Sequence, residues 1–368
     1  MQQSKRRIAL FISGMYGGGA QKAWVNLARG MVENGYPVDL VLASAKGPLM
    51  DTIPGDVRVI DLNSRRVIYS LPRLVQYLRK QRPAVLISAM NYVNITALWA
   101  KYIARVPTRV IISVHGVPSS SAKNPSDKLG KLMPLFTKLF YPWADEIISV
   151  SKGVANDLAQ LTQIPLNNIR AIYNPVITPD LKKGMKAPLH HPWFKDKKIP
   201  VILAVGRLAP EKDFSTLIKA FALVRQKRPV RLMILGQGQE QHLLEELIQS
   251  HNLEQDISLM GFVANPYAYM SRAALFVCSS QWESLSLVLI EALYCGAALV
   301  STDCPYGPRE ILQGGKFGKL VPVGDTSGLA RAIEASLDTP KTVTPREWLR
   351  FFELDTVVKQ YLAVSFSN

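Results

Sequence analysis

The chain has 368 residues and a net charge of +16, and hydrophobic residues make up 48% of it. These values lie near those of globular proteins, and the length suffices for two domains that each bury a core. No apolar run is as long as a membrane span, which argues against an integral membrane protein. The cysteines lack metal-ligand spacing, and we expect them to be reduced core residues: Cys278, Cys295 and Cys304.

The first apolar run follows basic residues, as the apolar part of a signal peptide does. The basic segment is Ser4–Arg7 and the apolar run is Ile8–Ser13. The run is too short for a signal peptide and leads directly into the glycine-containing segment Gly14–Gly17. We therefore predict the first strand of a cytoplasmic protein.

Strand-like runs alternate with amphipathic stretches along the first half of the chain. The amphipathic stretches include Ala23–Asn34 and Leu71–Lys80. The predicted strands are Ile8–Ser13, Val38–Ala43, Val57–Asp61, Val85–Ser88, Val110–Val114 and Glu146–Val150. This alternation is typical of a doubly wound parallel sheet.

The second half repeats the same alternation after a Pro- and Lys-rich segment. That segment, residues 173–192, is predicted to be the linker between two domains. The predicted strands beyond it are Val201–Val205, Arg231–Leu235, Ile257–Leu259, Leu275–Cys278, Ala298–Ser301 and Lys319–Val321. The last segment, Glu347–Val364, has the apolar spacing of a helix.

Positive charge is concentrated in the first half of the chain. Residues 1–176 contain 22 Lys and Arg against 9 Asp and Glu, whereas residues 177–368 contain 22 against 19. Such a field implies an anionic partner, either nucleic acid or an anionic membrane surface. The basic residues lack the interleaved aromatics of a nucleic-acid module, so we predict no nucleic acid partner.

One predicted helix in the first half has two interpretations. Asn124 and Pro125 begin it well. Its apolar stripe is Leu129, Leu132, Met133, Phe136, Leu139 and Phe140, and Lys128, Lys131 and Lys138 lie beside the stripe. The helix either lies in a membrane interface or packs its stripe on the sheet with the lysines in solvent.

Two cations follow a predicted buried strand in the second half. Arg207 and Lys212 come after Val201–Val205, and a helical pattern begins at Phe214. Open α/β sheets bind ligands at the carboxyl ends of their strands. Arg can bind a phosphate with two parallel N–H groups and Lys adds a point charge. The pair is either a diphosphate site or two ordinary surface charges.

Two carboxylates follow a later predicted strand. Glu283 and Glu291 stand eight positions apart after Leu275–Cys278, and a fully helical segment would separate them by about 12 Å. Carboxylates accept hydrogen bonds from paired hydroxyls, although one Glu on a solvated helix face is the simpler explanation. Downstream, Pro308 suits the first position of a helix whose N–H groups attract an anion.

Two features of the first half accompany these motifs. The glycines at residues 17–19 follow the first strand, where bare backbone can approach a phosphate or a substrate; the alternative is a flexible turn. His115 ends the strand-like Arg109–Val114. A lone histidine is more often structural than catalytic.

Taken together, these motifs resemble the retaining GT-B glycosyltransferases of family 4, over nearly the whole chain. The matching segments are Gly17–Lys22, Gly206–Lys212, the pair Glu283 and Glu291, and Gly307–Glu310. The resemblance implies an α/β fold in which two Rossmann-like, doubly wound domains face a central cleft. Residues 1–176 form the acceptor side, residues 177–346 bind the donor, and the helix at 347–364 packs back on the first domain.

The resemblance also implies roles for individual residues. Arg207 and Lys212 neutralise the leaving diphosphate, and Glu283 and Glu291 accept hydrogen bonds from the sugar and the ribose. His115 lies beside the transferred sugar. Further donor-binding residues are Gly18, Gly19, Gly206, Gly236, Phe262, Ser286, Leu287, Gly307 and Pro308. The chain departs from the family at Ser284 and Leu285, and at Gln21 and Lys22, which bears on the donor sugar and on the acceptor side.

These features predict a retaining transfer of sugar from a nucleotide diphosphate donor, with UDP favoured, to an envelope glycan or lipid-linked acceptor. No Asp-x-Asp occurs in the chain, so we expect no essential metal and no tightly bound cofactor. The alternatives are a non-catalytic scaffold, a sugar-nucleotide epimerase and a phosphorylase. The last two need acid/base carboxylates or a pyridoxal lysine motif that the sequence does not present. The protein is expected in the cytoplasm, or on the inner face of the membrane.

Overall fold

A computed structural model describes residues 6–119, 130–196, 198–339 and 341–367 of the chain. Its described residues divide into two compact units. Unit 1 contains the residues up to Val176 and those from Phe351 onwards, and unit 2 is Ile177–Arg350. Each unit is an α/β domain built on one parallel sheet.

The sheet of unit 1 has seven parallel strands in the order β3-β2-β1-β4-β5-β6-β7. Its strands are β1 (Ile8–Ile12), β2 (Val38–Leu42), β3 (Arg58–Asp61), β4 (Val85–Ala89), β5 (Arg109–Val114), β6 (Glu146–Ser149) and β7 (Ile169–Ala171). The central strands are buried along their whole length, because helices cover a parallel sheet on both faces. Strand β7 was not predicted, because its three residues are too few to show a pattern.

Six helices accompany this sheet in the residues of unit 1 that the structure describes. They are α1 (Gly19–Glu33), α2 (Leu71–Gln81), α3 (Asn91–Ala104), α4 (Met133–Phe140), α5 (Lys152–Thr162) and α15 (Leu354–Phe366). Short 3-10 turns lie at Met50–Thr52, Val67–Ser70, Gly130–Leu132, Tyr141–Trp143 and Leu166–Asn168.

Helix α15 packs on α1 because a glycine in the middle of α1 leaves room for it. A Cβ at Gly30 would lie 2.5 Å from Val358 Cγ2 and 3.0 Å from Leu354 Cδ1. The two apolar side chains fill that space and join the core around β1. Only part of the predicted tail helix does this. The chain turns through the 3-10 segment Arg350–Phe352, so the tail forms two helices rather than one.

The sheet of unit 2 has six parallel strands in the order β10-β9-β8-β11-β12-β13. They are β8 (Val201–Val205), β9 (Arg231–Leu235), β10 (Ile257–Leu259), β11 (Leu275–Cys278), β12 (Ala298–Thr302) and β13 (Lys319–Val321). All six were predicted, with ends that differ by at most one residue. Their apolar runs are continuous because the core packs on both faces of the sheet.

Nine helices belong to unit 2. They are α6 (Pro179–Gly184), α7 (Pro192–Lys195), α8 (Phe214–Arg225), α9 (Gln241–Ser250), α10 (Tyr267–Met270), α11 (Leu287–Tyr294), α12 (Pro308–Ile311), α13 (Thr326–Leu337) and α14 (Arg346–Leu349), as far as the structure describes the unit. The 3-10 turns Pro210–Lys212 and Gln313–Gly315 complete it.

The segment predicted as a linker contains helix α6. Thr178 caps this helix by accepting a hydrogen bond from the Leu181 N–H at 3.3 Å, and Pro179 occupies a first-turn position. Leu181 is fully buried. The proline therefore begins a helix here instead of marking an extended linker.

Candidate functional site

The order of strands in each sheet reverses at one point, and in unit 2 that point lies between β8 and β11. The connections that leave these two strands run in opposite directions there and open a crevice at the carboxyl ends. The loop after β8 contains Arg207 and Lys212, and the loop after β11 contains Glu283. The sheet topology thus brings together residues more than 70 positions apart in the chain.

Lys212 and Glu283 form an ion pair at this crevice. Lys212 Nζ donates to Glu283 Oε1 at 2.5 Å, and Ser280 Oγ donates to the same oxygen at 2.8 Å. The two charged side chains are 21% and 11% exposed. Burial acts against the ammonium charge, but the neighbouring Glu283 carboxylate outweighs it and raises the pKa of Lys212. Lys212 therefore carries a firmly held positive charge.

Main-chain contacts fix the two loops against each other. Ser279 Oγ donates to the Lys212 carbonyl at 2.7 Å, and the Gln281 N–H donates to the Glu211 carbonyl at 2.8 Å. The Glu283 N–H donates to the Pro305 carbonyl at 2.8 Å, which ties in the loop after β12. The ion pair thus sits on a hydrogen-bonded frame.

Gly307 closes the frame from the side of α12. A Cβ there would lie 3.1 Å from the Ser286 N and 3.2 Å from the Leu285 Cα, and its φ of +21° is one that side chains rarely adopt. The glycine therefore allows α12, which begins at Pro308, to approach the Glu283 loop. Helix α12 has only four residues. Its predicted backbone contacts with a sugar and phosphate stay a prediction.

Two glycines let the loops after β8 and β9 touch. A Cβ on Gly236 would lie 1.8 Å from the Gly206 carbonyl oxygen, and one on Gly238 would lie 2.1 Å from the Leu208 carbonyl oxygen. The Gly236 N–H also donates to the Gly261 carbonyl at 2.8 Å. Phe262 follows Gly261 and is 75% exposed, so its ring is available to a ligand.

Arg207 lies at the open side of the site. Its Nη2 donates to Glu211 Oε1 at 2.5 Å, and the side chain remains 72% exposed. Burial opposes the charge on Glu211, but the hydrogen bond from Arg207 outweighs it and lowers the pKa of the carboxyl group. An exposed pair of this kind costs little to open.

Helix α11 begins after Glu283, so the two glutamates do not lie on one continuous helix. It starts at Leu287, so Glu283 lies in the preceding loop and only Glu291 is helical; the 12 Å separation for a continuous helix does not apply. Ser286 precedes the first turn, and its side chain does not cap the helix. The first N–H groups of α11 therefore have no acceptor from the Ser286 side chain. Glu291 is buried at 3% exposure, and Tyr267 OH donates to its Oε1 at 3.3 Å.

In unit 1 the strand order reverses between β1 and β4. The glycine loop follows β1, with Gly17 and Gly18 at φ values of +96° and +145°, and Gly19 begins helix α1. Met90 follows β4 with a φ of +80°, which a non-glycine residue rarely adopts. Strained backbone of this kind is concentrated at functional sites.

His115 follows β5, the neighbour of β4, and takes part in a hydroxyl network. Its Nε2 lies 3.0 Å from Ser113 Oγ, which lies 3.1 Å from Tyr361 OH on α15. The Trp24 ring on α1 stands nearly perpendicular to the imidazole with centroids 5.0 Å apart. Burial lowers the pKa of His115 to about 3, so the imidazole is neutral at physiological pH.

His115 was predicted as a site residue from the sequence, whereas the residues around it were not. Tyr361 is 248 positions away from Ser113, and no motif connects them. In the sequence, Trp24 and Tyr361 appear only as apolar positions of predicted helices. The periodicity of apolar residues indicates which helix face is buried, but it does not identify hydrogen-bond partners. Tyr267 was missed for the same reason.

The exposure of the side chains on helix α4 matches neither interpretation of its apolar stripe completely. Met133 and Thr137 face the interior, whereas Leu132, Leu135 and Leu139 are 46%, 51% and 52% exposed. The apolar stripe is thus divided between buried and exposed positions. The regular helix begins only at Met133, and Leu129 and Lys128 lie outside the described residues. The stripe as a whole therefore does not pack on the sheet.

Further apolar residues and two lysines extend this exposed surface. Trp143 is 45% exposed and stacks at a tilt on the 73% exposed Tyr102, with ring centroids 5.4 Å apart. Lys131 and Lys138 are exposed beside the leucines. We call this set the α4 face: Lys131, Leu132, Leu135, Lys138, Leu139, Trp143 and Tyr102. It combines apolar and basic side chains at one surface.

Within the described ranges, no three or more His, Cys, Asp or Glu residues are grouped closely enough to hold a metal ion. The expectation of no essential metal stays a prediction. The three cysteines are free and buried. No helix in the part of the chain that the structure describes is long and apolar enough to span a bilayer.

Two known families match the chain. Residues 17–178 match Glycosyltransferase Family 4, and residues 186–346 match Glycosyl transferases group 1. The matches divide between the two units and together cover most of the chain. They include the glycine loop, His115 and the charged crevice.

Individual relatives agree with these families. The chain is 36% identical over 253 residues to an N-acetylgalactosamine-N,N'-diacetylbacillosaminyl-diphospho-undecaprenol 4-alpha-N-acetylgalactosaminyltransferase of Campylobacter jejuni. That match covers 68% of this chain and 66% of the relative, just under two thirds of its length. The lipopolysaccharide core biosynthesis glycosyltransferase LpsE of Rhizobium meliloti is 26% identical over 86% of this chain and 85% of its own.

A solved structure shares the fold. The crystal structure of Anabaena HepE in complex with UDP and glucose superimposes with a TM-score of 0.78 over 97% of this chain and 98% of that one. Its sequence identity is 19%, so the likeness concerns the fold, which is GT-B with two Rossmann-like domains.

Proposed function

Because this chain belongs to glycosyltransferase family 4, we propose that it transfers a sugar from a nucleotide diphosphate donor to an envelope glycan or lipid-linked acceptor. We propose UDP as the nucleotide and retention as the stereochemical course. The observation that carries the proposal is the ion pair of Lys212 and Glu283 at the point where the sheet order of unit 2 reverses.

The chemistry of that crevice suits a diphosphate joined to a sugar. Lys212 is held as a cation, and the exposed Arg207 guanidinium is free to swing from Glu211 to a phosphate. Together they would stabilise the negative charge that develops on the departing diphosphate. The first N–H groups of α11, at Leu287 and beyond, add a positive dipole end to the same region.

The two glutamates suit the hydroxyl-bearing parts of the donor. When Lys212 turns to a phosphate, Glu283 becomes an acceptor for sugar hydroxyls while Ser280 keeps it oriented. Glu291 would accept the ribose hydroxyls, with Tyr267 holding its carboxylate from one side. Phe262 supplies an exposed aromatic surface on the neighbouring loop.

The nucleotide and the stereochemistry rest on the relatives. Anabaena HepE, which shares the fold, was crystallised with UDP and glucose, and the motifs resemble those of retaining enzymes. Residues of this chain supply the positive charge at the diphosphate, so we propose that the reaction requires no metal and no tightly bound cofactor.

The acceptor class rests on relatives and on the α4 face. The Campylobacter relative is named for a diphospho-undecaprenol acceptor, and the Rhizobium relative for the lipopolysaccharide core. The α4 face presents leucines and lysines to solvent on the more basic half of the chain. We propose that it docks on the anionic inner face of the cytoplasmic membrane, where leucines enter the interface and lysines bind acidic headgroups.

A donor screen tests the enzymatic proposal. Melting temperatures should rise with UDP-sugars more than with GDP- or ADP-sugars, because a ligand of the native state stabilises it by mass action. Slow hydrolysis of the bound UDP-sugar would distinguish an enzyme from a scaffold. If no nucleotide-sugar raises the melting temperature and none is hydrolysed, the proposal is wrong.

Sedimentation with vesicles tests the membrane proposal. The protein should sediment with phosphatidylglycerol-containing vesicles at low salt and be released at high salt. Replacing Lys131 and Lys138 with Glu should abolish sedimentation, whereas the same change at the exposed Lys182 and Lys183 of unit 2 should not.

Variants at apolar residues distinguish insertion of leucines into the membrane interface from attraction of lysines to acidic headgroups alone. Leu135→Ser with Leu139→Ser should weaken vesicle binding, while Leu166→Ser, which alters an equally exposed leucine elsewhere in unit 1, should not. Equal loss in all lysine variants would indicate a nonspecific charge effect and contradict docking through the α4 face.

A further inference from the structure

The tautomer of His115 follows from an account of the hydroxyl protons around it. His115, Ser113 and Tyr361 form one chain of hydrogen bonds, with Ser113 Oγ in the middle at 3.0 and 3.1 Å from its two neighbours. Ser113 is fully buried and Tyr361 is 1% exposed, so water does not satisfy their hydroxyl groups. Each hydroxyl has one proton to donate, and a buried proton without an acceptor is costly.

Only one arrangement gives both buried hydroxyl protons an acceptor among the described residues. If His115 Nε2 carried the proton and donated to Ser113, then Ser113 would donate to Tyr361, and the Tyr361 O–H would point at nothing. If both neighbours donated to Ser113, the Ser113 proton would have no acceptor. If Tyr361 donates to Ser113 and Ser113 donates to His115 Nε2, both hydroxyl protons have acceptors, and the remaining proton lies on the imidazole, which is only partly buried.

Ionisation does not offer another arrangement. Burial raises the pKa of Tyr361 to about 12, so its hydroxyl keeps its proton at neutral pH. Burial lowers the pKa of His115 to about 3, so a second ring proton is excluded as well. The neutral imidazole then carries its single proton on Nδ1.

We propose that Ser113, whose hydroxyl is oriented by Tyr361, is a positioning residue that holds His115 as the Nδ1–H tautomer, so that the ring donates a hydrogen bond to a substrate oxygen. The substrate clause rests on the proposed function, and the tautomer rests on the hydrogen bonds alone. Nδ1 makes no hydrogen bond to a described residue, and the ring is not fully buried. Trp24 confines the ring by its perpendicular contact, which leaves the orientation fixed and Nδ1 available.

The proposal gives the C-terminal helix a role in the site. Tyr361 lies on α15, which packs on α1 through Leu354 and Val358 at Gly30. The last helix of the chain thus supplies the first donor of the relay. A sugar hydroxyl or a ring oxygen would be the acceptor of the Nδ1–H, since both have free lone pairs.

Nuclear magnetic resonance of protein labelled with ¹⁵N in histidine tests the tautomer directly. The chain has five histidines, and the His115 signals are identified by their loss in His115→Gln. In the wild type at neutral pH, Nδ1 should have the shift of a proton-bearing nitrogen and Nε2 that of a bare one. Ser113→Ala should move Nε2 towards the proton-bearing shift, and Ser113→Thr should keep the wild-type pattern. Tyr361→Phe should keep it too, because Nε2 is then the one acceptor left for the Ser113 proton.

Turnover with a UDP-sugar provides the second readout. We expect Ser113→Ala to lower kcat roughly tenfold with little change in KM for the donor, by analogy with other partners that orient a functional histidine. The matched control is Ser149→Ala, which removes an equally buried hydroxyl in unit 1 that donates to the Ser151 carbonyl. The control should keep both the tautomer and kcat.

Three results would overturn the proposal. They are a proton-bearing Nε2 in the wild type, an unchanged tautomer in Ser113→Ala, and equal losses of kcat in Ser113→Ala and Ser149→Ala. The shifts do not depend on turnover, so the expected tautomer in a protein that binds and hydrolyses no nucleotide-sugar would contradict the proposed function alone. If Ser113→Ala fails to fold, Ser113→Cys, whose thiol is only a weak donor, answers the same question.

Discussion

The two units reverse their strand order in the same way, yet the residues at the two reversal points differ in chemistry. In unit 2 the loops present the charged groups Arg207, Lys212 and Glu283. The ion pairs raise the pKa of Lys212 beside Glu283 and lower the pKa of Glu211 beside Arg207. In unit 1 the corresponding region presents glycines, a neutral imidazole and two hydroxyl groups.

The difference shows that topology determines where a ligand can bind, whereas the loops determine which ligand binds there. Paired charges that can exchange partners suit an anion such as a diphosphate. A neutral donor and buried hydroxyls suit a sugar, whose groups are uncharged. Each prediction below separates these two kinds of site.

The largest effect is expected from removing a cation of unit 2. Arg207→Ala and Lys212→Ala should each lower kcat/KM for the UDP-sugar roughly 100-fold, since each removes a contact that strengthens as the diphosphate leaves. Steady-state kinetics measure this, and Arg225→Ala, which breaks an ion pair with Asp256 elsewhere in unit 2, is the matched control. Wild-type kcat/KM in either site variant would exclude its role at the diphosphate.

The two glutamates of unit 2 should separate into different effects. Glu291→Ala should weaken binding of bare UDP roughly tenfold, because ribose contacts change little during the reaction. Glu283→Gln should lower kcat while leaving UDP affinity equal or tighter, because Lys212 loses the carboxylate that competes with phosphate. Calorimetry with UDP decides between them, and loss of UDP affinity in Glu283→Gln alone would reverse the two roles.

The neutral histidine of unit 1 should make stability depend on pH in a defined window. Its folded pKa of about 3 lies below the ordinary 6.5, so the unfolded state binds more protons between these values. Stability contributed by the neutral ring is therefore complete above pH 6.5 and is lost as the pH falls, by about 1.4 kcal/mol per pH unit.

Denaturant unfolding from pH 7 to pH 5 checks this window. The difference between the wild type and His115→Gln should shrink as the pH falls, whereas His242→Gln, at an exposed position of unit 2, should follow the wild type. A difference that stays constant from pH 7 to pH 5 would mean that the ring is solvated enough to keep an ordinary pKa.

The smallest effect is expected from metal removal. If Arg207 and Lys212 supply the charge at the diphosphate, dialysis against a chelator should leave kcat unchanged. Activity that disappears with the chelator and returns with Mg²⁺ would show that unit 2 needs a cation beyond its own side chains.

Much of the fold could be predicted from the sequence because buried parallel strands are continuous apolar runs. All six strands of unit 2 and six of the seven in unit 1 were predicted, while the three-residue β7 was too short to show a pattern. The predicted helix boundaries were wrong at two places. Pro179 begins a helix inside the segment predicted as a linker, and the tail predicted as one helix is two.

For the candidate site, the sequence by itself determined the residue types and their loops: Arg207, Lys212, Glu283 and His115 each follow a strand that the apolar pattern revealed. Only the tertiary structure decided their partners, such as Lys212 with Glu283, Tyr267 with Glu291, and Tyr361 with Ser113. The division of helix α4 into a buried side with Met133 and exposed leucines was decided there as well. The physical reason is that periodicity records which face of an element is buried, whereas a hydrogen bond depends on atoms that the fold brings within about 3 Å from distant parts of the chain.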